Sequence, residues 1–204
     1  MAEFRSRAEA ILLLTGGRSR RFGGGGKLQT EVVAGLRVID IVSRNVAQVG
    51  LPVFEAGIGI TQFHKVQGTQ YKTPLVGVAR GFDEIARTFG NSEISILVVA
   101  GDMVALDPAT MRVISAFPSK GSVVPFDGSL QILGARWGPS SLEMAKFMAI
   151  THPTFSLRSA LGGNTLTLDD RRWREHSPFF DIDTAEDLLA FRRNFLNHDR
   201  ATRF

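Results

Sequence analysis

Four cations fall within ten residues of this chain, at Arg18, Arg20, Arg21 and Lys27, and no acid lies between Glu9 and Glu31 to neutralise them. Glycines at 16, 17 and 23–26 surround them, and the apolar run 11–14 leads into them. Glycine lets a backbone come close to phosphate and aim its N–H groups at it. Arginine adds a planar fork of donors, and lysine adds a mobile point charge. Together these types predict a cradle for a nucleoside triphosphate. The alternative is a solvated glycine-rich surface loop, but such loops rarely follow directly on a buried-type strand.

Spacing excludes two common phosphate motifs. A P-loop needs glycine, four residues, then Gly-Lys-Ser/Thr; here Arg21 stands at the first glycine position and Leu28 at the hydroxyl position. The dinucleotide fingerprint fails because Leu28 follows Gly23 and Gly25 where the third glycine belongs. Ser19 has Arg21 rather than glycine two residues on, so it is no nucleophile elbow. His64, His152, His176 and His198 are scattered without metal-ligand spacing, and Trp137 and Trp173 read as core.

Two further stretches carry carboxylates where a triphosphate site needs them. The apolar run 94–100 ends in Gly101-Asp102-Met103, and 179–182 leads through Asp181 to Asp183. Ligands of open α/β sheets sit at the carboxyl ends of strands, and Mg²⁺ takes oxygen ligands, usually from one or two protein carboxylates. Asp102 and Asp181 are therefore candidate metal ligands. The competing reading makes Asp102 a capping aspartate, and makes Asp181 or Asp183 part of the helix start at Thr184.

The elements that position these groups follow from periodicity. Residues 8–14 read as a buried parallel-type strand, continuously apolar rather than alternating. Residues 28–33 form a short extended piece, 36–49 a helix ended by Gly50, and 53–56 a second strand. Pro74 opens a helix whose apolar stripe runs through Leu75, Val78, Ala79, Phe82, Ile85 and Phe89 to a stop at Gly90. Asp107-Pro108 starts another, reaching 117. Residues 122–126 and 129–137 flank Asp127-Gly128, a hairpin signal. Weaker helices fall near 140–150 and 155–161, 179–182 reads as the last strand, and Thr184 with Asp187 begins a final helix. Alternating strands and helices imply a mostly parallel sheet covered on both faces, with one antiparallel hairpin inserted.

These motifs together resemble the molybdenum cofactor guanylyltransferases and related nucleotidyltransferases. Leu14-x-Gly16-Gly17-x-Ser19-x-Arg21-x-Gly23 followed by Lys27 is similar to their signature loop. Val99-Ala100-Gly101-Asp102-Met103 resembles their metal-binding segment, and Pro74-Leu75-Val76-Gly77 their "G-P-L-A-G" helix start. Gln131-Ile132-Leu133-Gly134-Ala135 sits where some members have "Q-P-L-x-A". The stretch from Asp181 to Leu188 resembles their C-terminal "N/D-x-N/D-T-P-E-D-L". Thr15, Gly26, Thr73 and Ala185 depart from the usual alanine, acid, glycine and proline. The Asn after the second strand and the acid before the "G-P-L" helix are missing, and Asp181 with Asp183 is the version of the molybdopterin cytidylyltransferases.

The resemblance implies a three-layer α/β/α fold of the nucleotide-diphospho-sugar transferase (Rossmann-like) type, with residues 1–204 as a single domain. It implies transfer of a nucleoside monophosphate, GMP from GTP above all, to molybdopterin with release of pyrophosphate. Leu14, Thr15, Gly16, Gly17, Arg18, Ser19, Lys27, Pro74, Leu75, Gly77 and Gln131 would bind nucleotide. Arg21, Lys27 and Asp102 would be catalytic, with Mg²⁺ on Asp102 and Asp181. The product would pass to a molybdoenzyme or cofactor-insertion protein. Transfer of CMP, transfer to a sugar phosphate, and a non-catalytic nucleotide-binding homologue are the alternatives.

Composition bounds these expectations. A length of 204 residues suits one α/β domain, and 44% hydrophobic with 22% charged residues is ordinary for a globular protein. The net charge of +4 permits nucleic-acid binding, but no helix-turn-helix, RNA-recognition or zinc-finger pattern occurs. Small phosphorylated substrates are the better match to the glycine-loop cations. Residues 1–10 mix Glu3 and Glu9 with Arg5 and Arg7, unlike a signal peptide or membrane span. The absence of cysteine leaves no disulfide or thiolate chemistry, which fits the expected location, the cytoplasm.

Overall fold

The computed structural model describes residues 7–16, 26–67, 73–162 and 164–201, with side chains through Arg193. In chain order the elements are β1 (Ala8–Leu14), β2 (Glu31–Val33), β3 (Leu36–Arg37), α1 (Val38–Ala47), β4 (Val53–Ala56), β5 (His64–Lys65) and α2 (Pro74–Phe89). There follow β6 (Ser95–Ala100), α3 (Pro108–Ala116), β7 (Ser122–Phe126), β8 (Arg136–Trp137), α4 (Pro139–Thr151), β9 (Thr165–Asp169), α5 (Arg171–Glu175) and α6 (Ala185–Ala201).

The two most apolar strands make the centre of the sheet. β1 and β6 pair in parallel from Ala8↔Ser95 to Leu14↔Ala100. Around them runs a seven-stranded sheet in the order β5-β4-β1-β6-β8-β7-β9. β8 is antiparallel to both β6 and β7, whereas β4, β5 and β9 join their neighbours in parallel. Only β8 is therefore reversed. β2 and β3 form a separate hairpin, to which Arg192 of α6 donates at the carbonyl of Val32, 2.8 Å away.

Alternate side chains of β1 and β6 point into opposite layers, as the pleat demands. Ile11, Leu13, Leu97 and Val99 pack with Val38, Ile39 and Val42 of α1, Met111 and Ile114 of α3, and Leu188 of α6. Leu12, Leu14, Ile96 and Val98 pack with Leu75, Val78, Phe82 and Ile85 of α2 and Leu142 and Ala145 of α4. This is a three-layer α/β/α fold with a mostly parallel sheet. Trp137 and Trp173 both lie in the core. Among the described residues, no helix is long and apolar enough to cross a membrane.

Local chemistry sets the helix ends. Pro74 opens α2, and Gly90 closes it with φ at +64°, its N–H reaching the carbonyls of Ala86 and Arg87. Asp107 caps α3 through Oδ1, which accepts from Ala109 N at 2.8 Å and Thr110 N at 3.0 Å. At α6, Asp187 Oδ2 accepts from Thr184 N at 2.7 Å while Thr184 Oγ1 accepts from Asp187 N at 3.1 Å. That is the reciprocal capping box the sequence suggests.

Three expectations need correction. Residues 179–182 form no strand: Ile182 N donates to the carbonyl of Asp102 at 3.2 Å, but no ladder develops. The last strand is instead β9, paired with β7 from Ser122↔Thr165 to Phe126↔Asp169. The hairpin is also different. Only a bridge at Phe126↔Leu130 follows Asp127-Gly128, and the chain turns again at Gly134, where φ is +96°. It then inserts β8 between β6 and β7. Finally, α1 is shorter than 36–49, because Leu36 and Arg37 are taken into the hairpin and Asp40 caps the helix through Arg37 N at 2.9 Å.

The cap of α3 gives a direct test. Asp107→Ala should cost about 1 kcal/mol, lowering the melting temperature by roughly 2–4 °C for a chain of this size. Asp107→Asn, itself a good cap, should melt within about 1 °C of the wild type.

Candidate active site

Pairing continues beyond the ends of the central strands. Thr15 N donates to Ala56 O and Gly101 N to Leu14 O, both at 2.9 Å. Thr15-Gly16, Ala56-Gly57 and Gly101-Asp102 thus lie side by side at the carboxyl edge of the sheet, where open α/β sheets bind ligands. A cleft of about 380 Å³ opens over them. Its lining includes Leu14, Thr15, Gly16, Lys27, Asp102, Asp181 and Asp183, with Leu28, Ile58, Pro74 and Leu133 supplying apolar surface.

One part of the cleft is charged. Lys27 begins a single 3-10 turn (Lys27–Gln29). Its Nζ lies 2.5 Å from Asp102 Oδ2 and 3.0 Å from Asp183 Oδ1, with the lysine side chain only 11% exposed. Burial pulls the ammonium pKa down, but the charges and hydrogen bonds of Asp102 and Asp183 outweigh it and hold it above the ordinary lysine value. Asp181 opens to solvent at the rim. Desolvation of its inner side, followed by repulsion from Asp102 and Asp183, raises its carboxyl pKa, and Lys27 opposes the rise. Oxygens of Asp102, Asp181 and Asp183 all lie within 4.8 Å of one another. Among the described residues, three carboxylates stand against one ammonium, an all-oxygen donor set that fits a hard divalent cation.

The helix start at Thr184 does not consume these acids. Capping there falls to Thr184 and Asp187, while Asp183 meets Lys27. Ile182 is fully buried between the two acids, and its bond to the Asp102 carbonyl pins the segment beside the end of β6. Asp102 is likewise no cap, since its carboxylate is engaged by Lys27.

The other part of the cleft is built by Glu55, which the sequence reading did not single out. Glu55 is fully buried on β4. Its Oε1 accepts from Thr15 Oγ1 at 2.5 Å, Gly59 N at 2.8 Å and Ile60 N at 3.0 Å. Its Oε2 accepts from Thr61 N at 3.0 Å and Thr61 Oγ1 at 2.5 Å. Burial would push this carboxyl up, but the hydrogen bonds from Thr15, Thr61 and Ile60 prevail and keep it below the usual range. The signal in the sequence was a lone acid in an apolar strand, VFEA, running into Gly-Ile-Gly.

The expected site residues divide clearly. Leu14, Thr15, Gly16, Lys27, Pro74, Asp102 and Asp181 all line the cleft. Leu75 is buried in the core and Gly77 within α2, so neither contributes to the lining. Gln131 also lies apart from the lining, its amide donating to Asp127 Oδ1 at 2.8 Å. Gly17, Arg18, Ser19 and Arg21 lie outside the described residues.

The three-layer α/β/α fold is of the nucleotide-diphospho-sugar transferase type. The chain belongs to the MobA-like NTP transferase domain family, whose model matches residues 11–159. Among solved structures it is similar to molybdopterin-guanine dinucleotide biosynthesis protein A from Archaeoglobus fulgidus, at 17% identity and a TM-score of 0.73, over 92% of this chain and 99% of that one. A nucleotidyl transferase from Methanothermobacter is similar over 93% of this chain and 98% of its own, at 17% identity and a TM-score of 0.64. No curated protein sequence matches significantly. At such identities the structural likeness speaks for the fold alone.

Gly57 tests how closely the two sides of the cleft are packed. Its φ is +153°, and an added Cβ would stand 2.3 Å from Thr15 Oγ1 and 2.4 Å from Gly16 N. Gly57→Ala should therefore cost at least about 2 kcal/mol, the scale of a strained, overpacked site. An unchanged melting curve would mean the contact is looser than described.

Proposed function

We propose that this chain, acting as one domain over 1–204, transfers GMP from GTP to Mo-molybdopterin and releases pyrophosphate. The observation that carries the reading is Lys27 held between Asp102 and Asp183 at the mouth of the β1 and β6 strand ends. Family membership supports nucleotidyl transfer. The molybdopterin acceptor is supported by the signature motifs and by what the similar Archaeoglobus protein is named for.

In the transfer, an acceptor phosphate oxygen attacks the α-phosphorus in line. A new P–O bond forms, and the bond from the α-phosphorus to the pyrophosphate oxygen breaks. No covalent protein intermediate is needed, so the protein's work is positioning and charge stabilisation. Thr15 and Gly16, with Gly17, Arg18 and Ser19 after them, cradle the nucleotide, and Arg21 and Lys27 meet charge on the triphosphate. Asp102 and Asp181 would hold Mg²⁺, which would supply positive charge against the triphosphate. The nucleotidylated cofactor then passes to a molybdoenzyme or insertion protein in the cytoplasm. Asp181 and Asp183 both face the cleft, and this paired-aspartate pattern favours a second reading in which CTP replaces GTP. A thermal-shift panel of GTP, CTP, ATP and UTP with Mg²⁺ separates the two. A ligand at a hundred times its dissociation constant stabilises by about 2.7 kcal/mol.

Two substitutions test the chemistry. Lys27→Ala should lower kcat/KM by roughly 10²–10³, the scale of one lost preorganised donor; full turnover would remove Lys27 from the reaction. Asp102→Asn should abolish turnover and weaken nucleotide binding mainly when Mg²⁺ is present, because the amide keeps the shape but not the charge. Nucleotide binding without turnover by the wild type on Mg²⁺, GTP and Mo-molybdopterin would leave a non-catalytic homologue instead.

A further inference from the structure

Among the described residues, no cation is a hydrogen-bond donor to the buried Glu55, which holds two walls of one cleft together. Each carboxylate oxygen accepts more than one bond, and the donors come from both the end of β1 and residues 59–61. Burying an ionised carboxylate is costly unless hydrogen bonds replace its water. Here they do so by curling the chain after β4 around the carboxylate. The tip of that curl is Ile58, which is 49% exposed and lines the cleft.

Ile58 stands at the far side from the charges. It follows β4, which is separated from β6 by β1, a distance of roughly 10 Å across two strand spacings. Pro74 lines the cleft too, at the start of α2, a helix whose side chains pack with Phe54 of β4. A nucleotide is anionic at its phosphates and flat and apolar on the faces of its base. With the phosphates toward Lys27, the base falls toward Ile58 and Pro74.

We propose that Glu55 is a positioning residue for the base-binding wall of the cleft, fixing Ile58 against the start of the phosphate loop. This rests on the nucleotide reading above and deepens it. The carboxylate touches no substrate; it acts through the 57–61 curl. Gly57 belongs to the same device, because only a residue without Cβ lets the curl lie on Thr15 and Gly16.

The test compares a ligand with a base against one without. Isothermal titration of GTP and of inorganic tripolyphosphate, each with Mg²⁺, is run on wild type, Glu55→Gln, Thr61→Val and Ile58→Ala. Thr61 is outside the cleft lining and reaches it only through Glu55 and the curl. Thr61→Val and Ile58→Ala should weaken GTP by roughly five- to twentyfold, the loss expected for one hydrogen bond or apolar contact. Tripolyphosphate should change less than about twofold, since the wall meets no phosphate. Combining Ile58→Ala with Glu55→Gln, or with Thr61→Val if Glu55→Gln does not fold, should weaken GTP less than the product of the single effects. Equal losses for both ligands, no loss for GTP, or fully multiplicative effects would overturn the assignment. Wild-type protein that binds neither ligand would instead overturn the nucleotide reading itself, and this inference with it.

Discussion

An ammonium cannot leave water for a half-closed cleft unless carboxylates meet it, and Lys27 meets two of them. That contact joins three stretches of chain that are far apart in sequence: the end of the glycine loop, the end of β6 and the segment before α6. The charge on Lys27 is secured by Asp102 and Asp183, and the third acid, Asp181, is left raised in pKa at the rim. Everything else at the edge is arranged around this group of four. Ile182 is bonded to Asp102 so that its neighbours flank the lysine, and α6 starts on Thr184 and Asp187 so that its cap makes no demand on them.

Much of this was legible from residue order. Continuous apolar runs identified β1 and β6, because a strand covered on both faces has no reason to alternate. Proline and glycine bracketed α2, and Asp107-Pro108 announced α3. Lys27 was visible as a cation closing a glycine-rich run, and Asp102 and Asp181 as acids at the ends of apolar runs. The failures share a cause: they depend on partners supplied by distant chain. Residues 179–182 have a strand's composition but find one backbone acceptor rather than a ladder. β9, with only partly covered side chains, exists because β7 offers it an edge. Glu55 looks like a stray acid until the 57–61 curl brings its donors.

Glu55 has a counterpart of opposite sign. Arg136, on β8, is fully buried and donates to the carbonyls of Phe117 at 2.6 Å, Ser119 at 2.8 Å and Gly121 at 3.2 Å. Burial lowers its pKa to about 10, so it remains a cation at neutral pH. The acid gathers N–H groups and two threonine hydroxyls, and the base gathers carbonyls. Each is met by backbone dipoles, and each turns a loop that lacks regular structure into a fixed one. For Glu55 that loop borders the cleft; for Arg136 it links α3 to β7.

The reversed strand has a mechanical meaning. β1 and β6 are stitched along six residue pairs and β7 and β9 along five, but β8 joins β6 through two and β7 through one. The sheet is thus two broadly paired panels with a narrower seam between them, where Val98 N also donates to Ala135 O and Gly134 N to Val98 O. Thr15, Glu55 and Asp102 all ride on the same panel, β5-β4-β1-β6, while Leu133 sits at the seam. Flexing at that seam would shift Leu133 relative to Thr15, Glu55 and Asp102 and so widen or narrow the mouth of the cleft on one side.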